Sequence, residues 1–489
     1  MPRHAGHRGV SVGGARGCEA ASVRVLLTLL ALGLGPVVAP DRTSAQGIGV
    51  RGWVGTTVQA VELRPVARRP EGCTAGEACY LPLDKELSIA GTQDVSLTAW
   101  GFGVQGLSAT LFLRGRAGLG SDFVWPRSED HFDALLGYVQ WMRSGWRVRL
   151  GRQEVRSGLG FSAFDGGAVS WRLRQLEVEG YGGRSLARAL RDPANKALAG
   201  IDDFVPDESV YLFGGALHGR FRLASASLRY QRELLADRSG LASERASFDG
   251  SATLPLVRLS AGVDWDFGRQ ILGKGHVTAA APIANGRWML SASARRYVPY
   301  FSMSTIWGFF EPVAYHEVMG RVGWSTTQAL GLWVSGGWRR YGDTGTPVVL
   351  EPLRDTGWRA EAGGAWNLSS QWTLNGAYHL EWGPGGFLNS GDASVRWSPG
   401  PRFGVSVSGM SFQQIEQYRL GDGRAWGGGV SLDAEIVRRL SVVAGGSLIR
   451  HDSKGDGVES PWNQARAWTT LRLEVGRDAG RANATRMRR

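Results

Sequence analysis

Residues 358–382 read WRAEAGGAWNLSSQWTLNGAYHLEW. In the second half, Trp372, Leu374, Gly376, Tyr378, Leu380 and Trp382 alternate with Thr373, Asn375, His379 and Glu381. In the first half, Trp358, Ala360, Ala362, Gly364 and Trp366 alternate with Arg359, Glu361, Gly363 and Asn367. A period of two is the signature of a two-faced β-strand. The Ser369-Ser370 step between the halves is too short for anything but a tight hairpin connection. Each apolar stripe also begins and ends on tryptophan. Spacings of eight and ten residues, at ~3.3 Å per residue and a tilt of ~40°, project to roughly 20–25 Å, the height of the apolar band of a membrane barrel.

The same unit recurs along the chain. Trp146, Val148 and Leu150 alternate with Arg147, Arg149 and Gly151, and Val257 to Phe267 repeats the pattern with Arg258, Asp264 and Asp266 on the polar phase. About 22 such segments can be counted (range 18–22), the first near residue 49 and the last near 464, with the second near 94, the sixth near 168 and the eighteenth near 391. Connections alternate in length. Short ones include Ser144-Gly145, Arg174-Gln175 and Val437-Arg438. Long ones include Arg64 to Gln93, Ser157 to Gly166, Gly182 to Glu208, Val298 to Ala314 and Gly383 to Ser390. This is the layout of an up-and-down antiparallel transmembrane barrel with short turns at one end. A soluble sandwich would show a similar two-faced pattern, but not the girdle spacing. A propeller would show a blade-length repeat, and none is visible.

Composition agrees. The chain has 489 residues, 71 Gly, 20 Trp and a hydrophobic fraction of 43%, which excludes disorder. The glycines follow no three-residue period, so collagen is excluded. Beyond the N-terminus no apolar run is long enough for a membrane helix. Lys85, Lys196, Lys274 and Lys454 are the lysines among 56 basic residues, so arginine carries the positive charge.

Residues 1–45 read as a secretory signal peptide. Arg3, Arg8, Arg16 and Arg24 precede an apolar stretch, Val25 to Ala39, and Thr43-Ser44-Ala45 supplies small residues for cleavage before Gln46. The barrel is expected over 46–476, followed by a basic tail, 477–489. Cys73 and Cys79 remain after cleavage and are expected to close a loop disulfide.

The polar phase is assigned to the lumen. It carries Arg147, Arg149, Arg172, Arg258, Arg295, Arg321, Arg339, Arg359, Arg396, Arg466 and Arg472, with Glu177, Glu179, Asp264, Asp266, Glu317, Glu361, Glu381, Asp433, Glu435 and Glu474. Charge of both signs implies a wet interior, because unpaired ions are not buried dry. The arginines of the first half (Arg147, Arg149, Arg172) lean basic, which favours anionic solutes unless cross-strand acids neutralise them. Trp146, Trp265, Trp324, Trp338, Trp358, Trp366, Trp372, Trp382 and Trp397 are assigned to the membrane girdles.

Residues 146–183 read WRVRLGRQEVRSGLGFSAFDGGAVSWRLRQLEVEGYGG. This stretch resembles the porin-like alginate-export barrels, in which a strand ending Gly-Arg-Gln is followed by a loop, then Phe-Asp-Gly and a tight hairpin. The matching positions are Gly151, Arg152, Gln153, Phe164, Asp165 and Gly166. The resemblance implies an outer-membrane pore, with an anionic polymer as one solute. Those barrels are thought of as 18-stranded, fewer than the count here.

Two loops are further candidates. Ser185 to Leu198 has the pattern of a short amphipathic helix that would constrict the pore if folded inward, or remain an outer loop. Tyr297 to Tyr315 is aromatic enough for a lid on the lumen, an extended girdle or a binding platform, the first two being favoured. No catalytic chemistry stands out. His131, His218, His276, His316, His379 and His451 lack ligand spacing, and no nucleophile-elbow or P-loop string is present. The expected protein is a pore rather than an enzyme, without cofactor or metal. Its partners are outer-membrane lipid and the barrel-assembly machinery, not nucleic acid. Because known barrels of this strand number are plugged, the alternative is a sheath around a periplasmic or lumen-filling protein, such as a multihaem cytochrome. An outer-membrane enzyme or adhesin is a third class.

Overall fold

The computed structural model describes residues 48–64, 66–68, 80–82, 84–120, 131–186, 210–236, 240–298, 314–326, 329–342, 355–383, 386–415, 422–454 and 461–476. The signal peptide, the cysteine pair, the basic tail and most of the two candidate loops lie outside them.

The strands in chain order are β1 (Gly49–Leu63), β2 (Val66–Arg68), β3 (Tyr80–Pro82), β4 (Glu86–Trp100), β5 (Leu107–Gly120), β6 (His131–Arg143), β7 (Trp146–Ser157) and β8 (Gly160–Leu173). Then come β9 (Leu176–Ser185), β10 (Val210–Arg220), β11 (Ala224–Leu235), β12 (Leu241–Thr253), β13 (Arg258–Asp266), β14 (Ile271–Ile283), β15 (Trp288–Tyr297) and β16 (Tyr315–Ser325). The last are β17 (Leu330–Tyr341), β18 (Thr356–Asn367), β19 (Trp372–Gly383), β20 (Gly386–Gly400), β21 (Phe403–Ile415), β22 (Asp422–Val437), β23 (Leu440–Lys454) and β24 (Trp462–Val475). Apart from the small β2–β3 hairpin, every strand pairs with its neighbour in sequence. A final pairing of β1 with β24 closes the 22-stranded antiparallel sheet into a barrel.

The connections sort by end. One end has short turns, such as Ser144-Gly145, where both residues take positive φ (48° and 88°) and the backbone twist matches that of the flanking strands. Both β1 and β24 have their outer termini at this end. The opposite end carries the long connections. Three expected boundaries move. The second barrel strand begins at Glu86 rather than near 94, the sixth at Gly160 rather than near 168, and the eighteenth at Gly386 rather than near 391. The last two corrections have one cause. Ser157↔Gly160 and Gly383↔Gly386 are ladder partners, so the expected long loops are two-residue turns.

In a single-layer barrel, a side chain is buried only if its neighbours shield it inside. Gln153, Phe164 and Leu212 are fully buried, and Arg229, Arg245, Asp264 and Glu317 are nearly so, which identifies the inward phase. The opposite phase exposes Leu150, Val178, Leu228, Val318, Val334, Val407, Val430 and Leu448 among many others. It is an almost continuous apolar belt that only a hydrocarbon environment would satisfy. Strands of 9 to 16 residues are long enough to cross it when tilted.

Tryptophans mark both rims of the belt. At the short-turn end Trp146 stacks on Trp171 (centroids 5.3 Å), Trp288 meets Trp324 (6.0 Å), and Trp372 meets Trp397 (6.1 Å). Trp366 lies at the same end, paired across the ladder with Leu374. At the other end Trp358 meets Trp382 and Phe387 (6.4 Å each), Trp338 is the ladder partner of Trp358, and Trp265 is exposed on β13. Five of the described tryptophans depart from this scheme, among them Trp100 and Trp462 at strand ends. Trp53, Trp333 and Trp468 lie on the inward phase, beside Arg472, Arg321 and Arg466.

Candidate functional site in the barrel interior

The ladder register carries one inward phase around the barrel. Arg147, Arg149 and Arg172 pair with Ser170, Ala168 and Glu177. Arg258, Asp264 and Asp266 lie opposite Thr253, Ser247 and Arg245. Arg295 pairs with Glu317, and Arg321 and Arg339 with Ser335 and Glu317. Arg359 and Glu361 pair with Glu381 and His379. Arg396 lies opposite Thr373 and Ser406, Asp433 opposite Gly404, Glu435 and Arg472 opposite Ser441.

Many of these charges neutralise one another. Arg147 and Arg172 both bond Glu177, at 2.6 and 2.7 Å, so the basic lean of the first half is largely compensated. Arg245 is paired with Asp264. Arg339 bridges Glu317 and Glu381 (2.6 Å to the latter), and Arg359 reaches Glu317 at 2.8 Å. His379 lies between Glu361 and Glu381, at 3.2 and 3.4 Å. Arg396 holds Asp433 at 2.7 Å. Such pairs fix the wall, because leaving one partner buried alone costs more than the pair gains.

Other arginines are held by aromatic faces instead. Arg321 lies 4.0 Å over Trp333, Arg472 4.6 Å over Trp53, and Arg149 5.9 Å over Tyr138. For these three, the structure records no ion pair among the described residues. A guanidinium on an aromatic face keeps its charge and most of its donors. None of these inward tryptophans is among the nine assigned to the girdles, and their facing follows from phase. Trp333 lies five positions from Trp338, and an odd spacing puts the two on opposite faces.

The main unforeseen element is the tip of the β7–β8 hairpin. β7 pairs with β6 only from Trp146 to Arg152, and β8 pairs with β9 only from Phe164 to Leu173. Beyond those points Gln153–Ser157 and Gly160–Ala163 form ladder pairs only with each other, with one further backbone bond from the Leu186 amide to the Ala163 carbonyl at 2.7 Å. The tip leaves the wall and lies across the inner faces of β9 to β12. Val155 and Phe164 form an apolar cluster with Ala168, Tyr181 and Leu212, with Phe164 and Tyr181 stacked at 5.6 Å. The Tyr181 hydroxyl donates to Gln231 at 3.1 Å, and the Gln231 amide donates to Ser162 at 3.2 Å. Arg245 donates to the Leu159 carbonyl at 3.1 Å. A Cβ on Gly158 would lie 3.0 Å from Cγ of Asp249, so the turn itself touches β12.

The polarity of the strand inverts where it leaves the wall. Below Gly151, Leu150 faces outward and Arg149 inward. Above it, Val155 is buried inward, while Glu154 and Arg156 form an ion pair (3.1 Å) on the face turned away from the wall. Gly151 is the hinge. Its φ is 123°, and a Cβ there would strike the Gly137 carbonyl. Gly151→Ala is expected to destabilise the barrel by about 1–3 kcal/mol. Urea unfolding followed by the loss of heat-modifiable gel mobility measures this, and an unchanged midpoint would show the hinge is unstrained.

The constriction expected from Ser185 to Leu198 and the aromatic loop between Tyr297 and Tyr315 fall mostly outside the described residues. At the described edges of the latter, Tyr297, Tyr315 and Tyr341 form a buried aromatic cluster facing inward, with Arg295 and Arg339 over Tyr315. Among the described residues no group of three or more His, Cys, Asp or Glu side chains could hold a metal.

No protein-family model matches the chain, and no curated protein matches it. Among solved structures, Pseudomonas aeruginosa OpdQ is similar over 87% of this chain and 99% of that one, at 10% identity and a TM-score of 0.40. A BenF-like porin from Pseudomonas fluorescens Pf-5 covers 88% and 99%, at 10% identity and 0.41. The siderophore receptor PirA of Pseudomonas aeruginosa covers 86% and 80%, at 11% identity and 0.48. The resemblance of residues 146–183 to alginate-export barrels rests on its own residues alone.

Proposed function

We propose that this chain is an outer-membrane pore for polar or charged solutes, narrowed by its own β7–β8 hairpin. The observation that carries the reading is the contrast across one sheet, with an apolar, tryptophan-rimmed outside and an ionic inside. A soluble protein would gain nothing from that exterior, and a lumen lined with ions needs water or a polar passenger. The hairpin supplies a narrowing without a second protein in the lumen, which favours a pore over a sheath.

The stacked arginines Arg149, Arg321 and Arg472 give the passage a bias toward anions, because fixed charge in a water-filled channel with low-dielectric walls concentrates counter-ions. Acidic sugars and their polymers fit such a wall, with aromatic faces beside positive groups. This is also the solute class that the resemblance of residues 146–183 implies.

Reconstitution in planar bilayers tests the reading. Stepwise conductance is expected, with a reversal potential in a KCl gradient that favours chloride. Arg149→Gln/Arg321→Gln/Arg472→Gln is expected to bring the chloride-to-potassium permeability ratio down toward unity. A correctly folded barrel that never conducts would overturn the pore.

A further inference from the structure

Near the long-loop end, three basic side chains lie side by side on the outward, membrane-facing phase. Arg296 on β15 is the ladder partner of His316 on β16, and His316 is the ladder partner of Arg340 on β17. Arg296 Nη1 is 3.4 Å from His316 Nε2, and Arg296 Nε donates to the Leu272 carbonyl at 3.2 Å, which anchors the guanidinium at the surface. His316 and Arg340 are exposed. The row sits one rung beyond Trp338, a member of the girdle at that end, whose ladder partners Val318 and Trp358 continue the apolar belt. The charges are therefore placed where hydrocarbon gives way to headgroups.

Directly beneath the row, the same face is concave. A groove of about 470 Å³ runs between Phe248, Val263, Val277 and Val318, over a floor lowered by the small residues Gly275 and Ala294. An apolar furrow ending at two guanidinium groups and an imidazole is complementary to an amphiphile with an anionic head.

We infer that this face binds a phosphorylated glycolipid of the outer leaflet, with an acyl chain in the groove and a phosphate on Arg296, His316 and Arg340. The inference rests on the outer-membrane reading above. Guanidinium groups suit the phosphate because they offer planar, paired donors. Surface charge at a membrane interface would otherwise attract any anionic lipid weakly. The groove adds the preference for one whose chain can enter beside the head.

The barrel purified in nonionic detergent is titrated with lipid A bearing both phosphates and with lipid A from which both have been removed, with bound lipid counted by native mass spectrometry. The phosphorylated form is expected to bind at least about tenfold more tightly. Arg296→Gln/His316→Gln/Arg340→Gln is expected to abolish that preference, and Arg296→Lys/Arg340→Lys to keep only the part of it that charge alone supplies. Equal binding of the two lipids by the unsubstituted barrel overturns the site. So does an unchanged preference in the triple-glutamine variant, provided its gel mobility shows a folded barrel. Conductance is recorded on the same preparations. A conducting barrel without lipid preference refutes the lipid site alone, and a preference in a barrel that does not conduct refutes the pore alone.

Discussion

Replacing Glu154–Ala163 by a two-residue Asn-Gly turn should raise single-channel conductance by about twofold or more, since the narrowest part of a pore dominates its resistance. Gln153 and Phe164 are ladder partners, so a two-residue turn joins them without disturbing the strands below. The deletion removes Val155 from the cluster with Tyr181 and Leu212, and removes the Leu159 carbonyl that Arg245 bonds. Both losses fall on the inner face, so the outer belt and the closure of the sheet should survive. A companion variant holds the tip in place. Gly158→Cys with Asp249→Cys should form a disulfide readily, because the two positions are in contact. That cross-linked barrel should conduct as the native one does. A deletion variant with native conductance would show that the hairpin does not limit flow. Failure of the two cysteines to join would place the tip elsewhere.

The second large effect separates the two faces of the wall. Val334 is 56% exposed at the middle of β17, on the outward phase. Val334→Arg should cost about 2–4 kcal/mol, the penalty of a cation near the bilayer midplane. Asn375 on β19 lies on the inward phase, opposite Ala365 and Ser394. Asn375→Arg should fold nearly as well as the native chain, because its charge meets water. Refolding into lipid vesicles, followed by denaturant titration, compares them. Equal stability of the two variants would mean that the outward face does not meet hydrocarbon.

How far the sequence could be read depends on which signal was used. Alternation in Trp358–Trp366 and Trp372–Trp382 identifies strands, their facing and their span, because each of those properties has period two and a fixed rise. Closure, the strand total and the placement of short turns at one end follow from the same pattern repeated. Charge pairing was harder to read. Arg147 and Arg172 converge on one glutamate from two strands, a meeting set by register rather than by spacing along the chain. The hairpin was misread because Gly158, Gly160 and Gly166 look like loop residues. The inversion between Leu150 and Val155 was there to be read, but it has meaning only once a strand can leave its sheet. Trp53, Trp333 and Trp468 show that residue type alone does not place a tryptophan at the rim, because phase decides which face it takes.

The pairing of β1 with β24 has a consequence for how the molecule is made. Thr57 and Thr470 touch across it with their hydroxyls 2.9 Å apart, although 413 positions separate them in the chain. Every other barrel pairing joins consecutive barrel strands, so the sheet can grow by local additions as the polypeptide arrives. This last contact must wait for nearly the whole chain, and its search is the slowest by topology. Until then the growing sheet carries two unsatisfied edges, each able to recruit a foreign strand. Its hazard during biogenesis is thus concentrated in the delay between delivery of the first strand and arrival of the last, and whatever shelters those edges must hold on until the two ends meet.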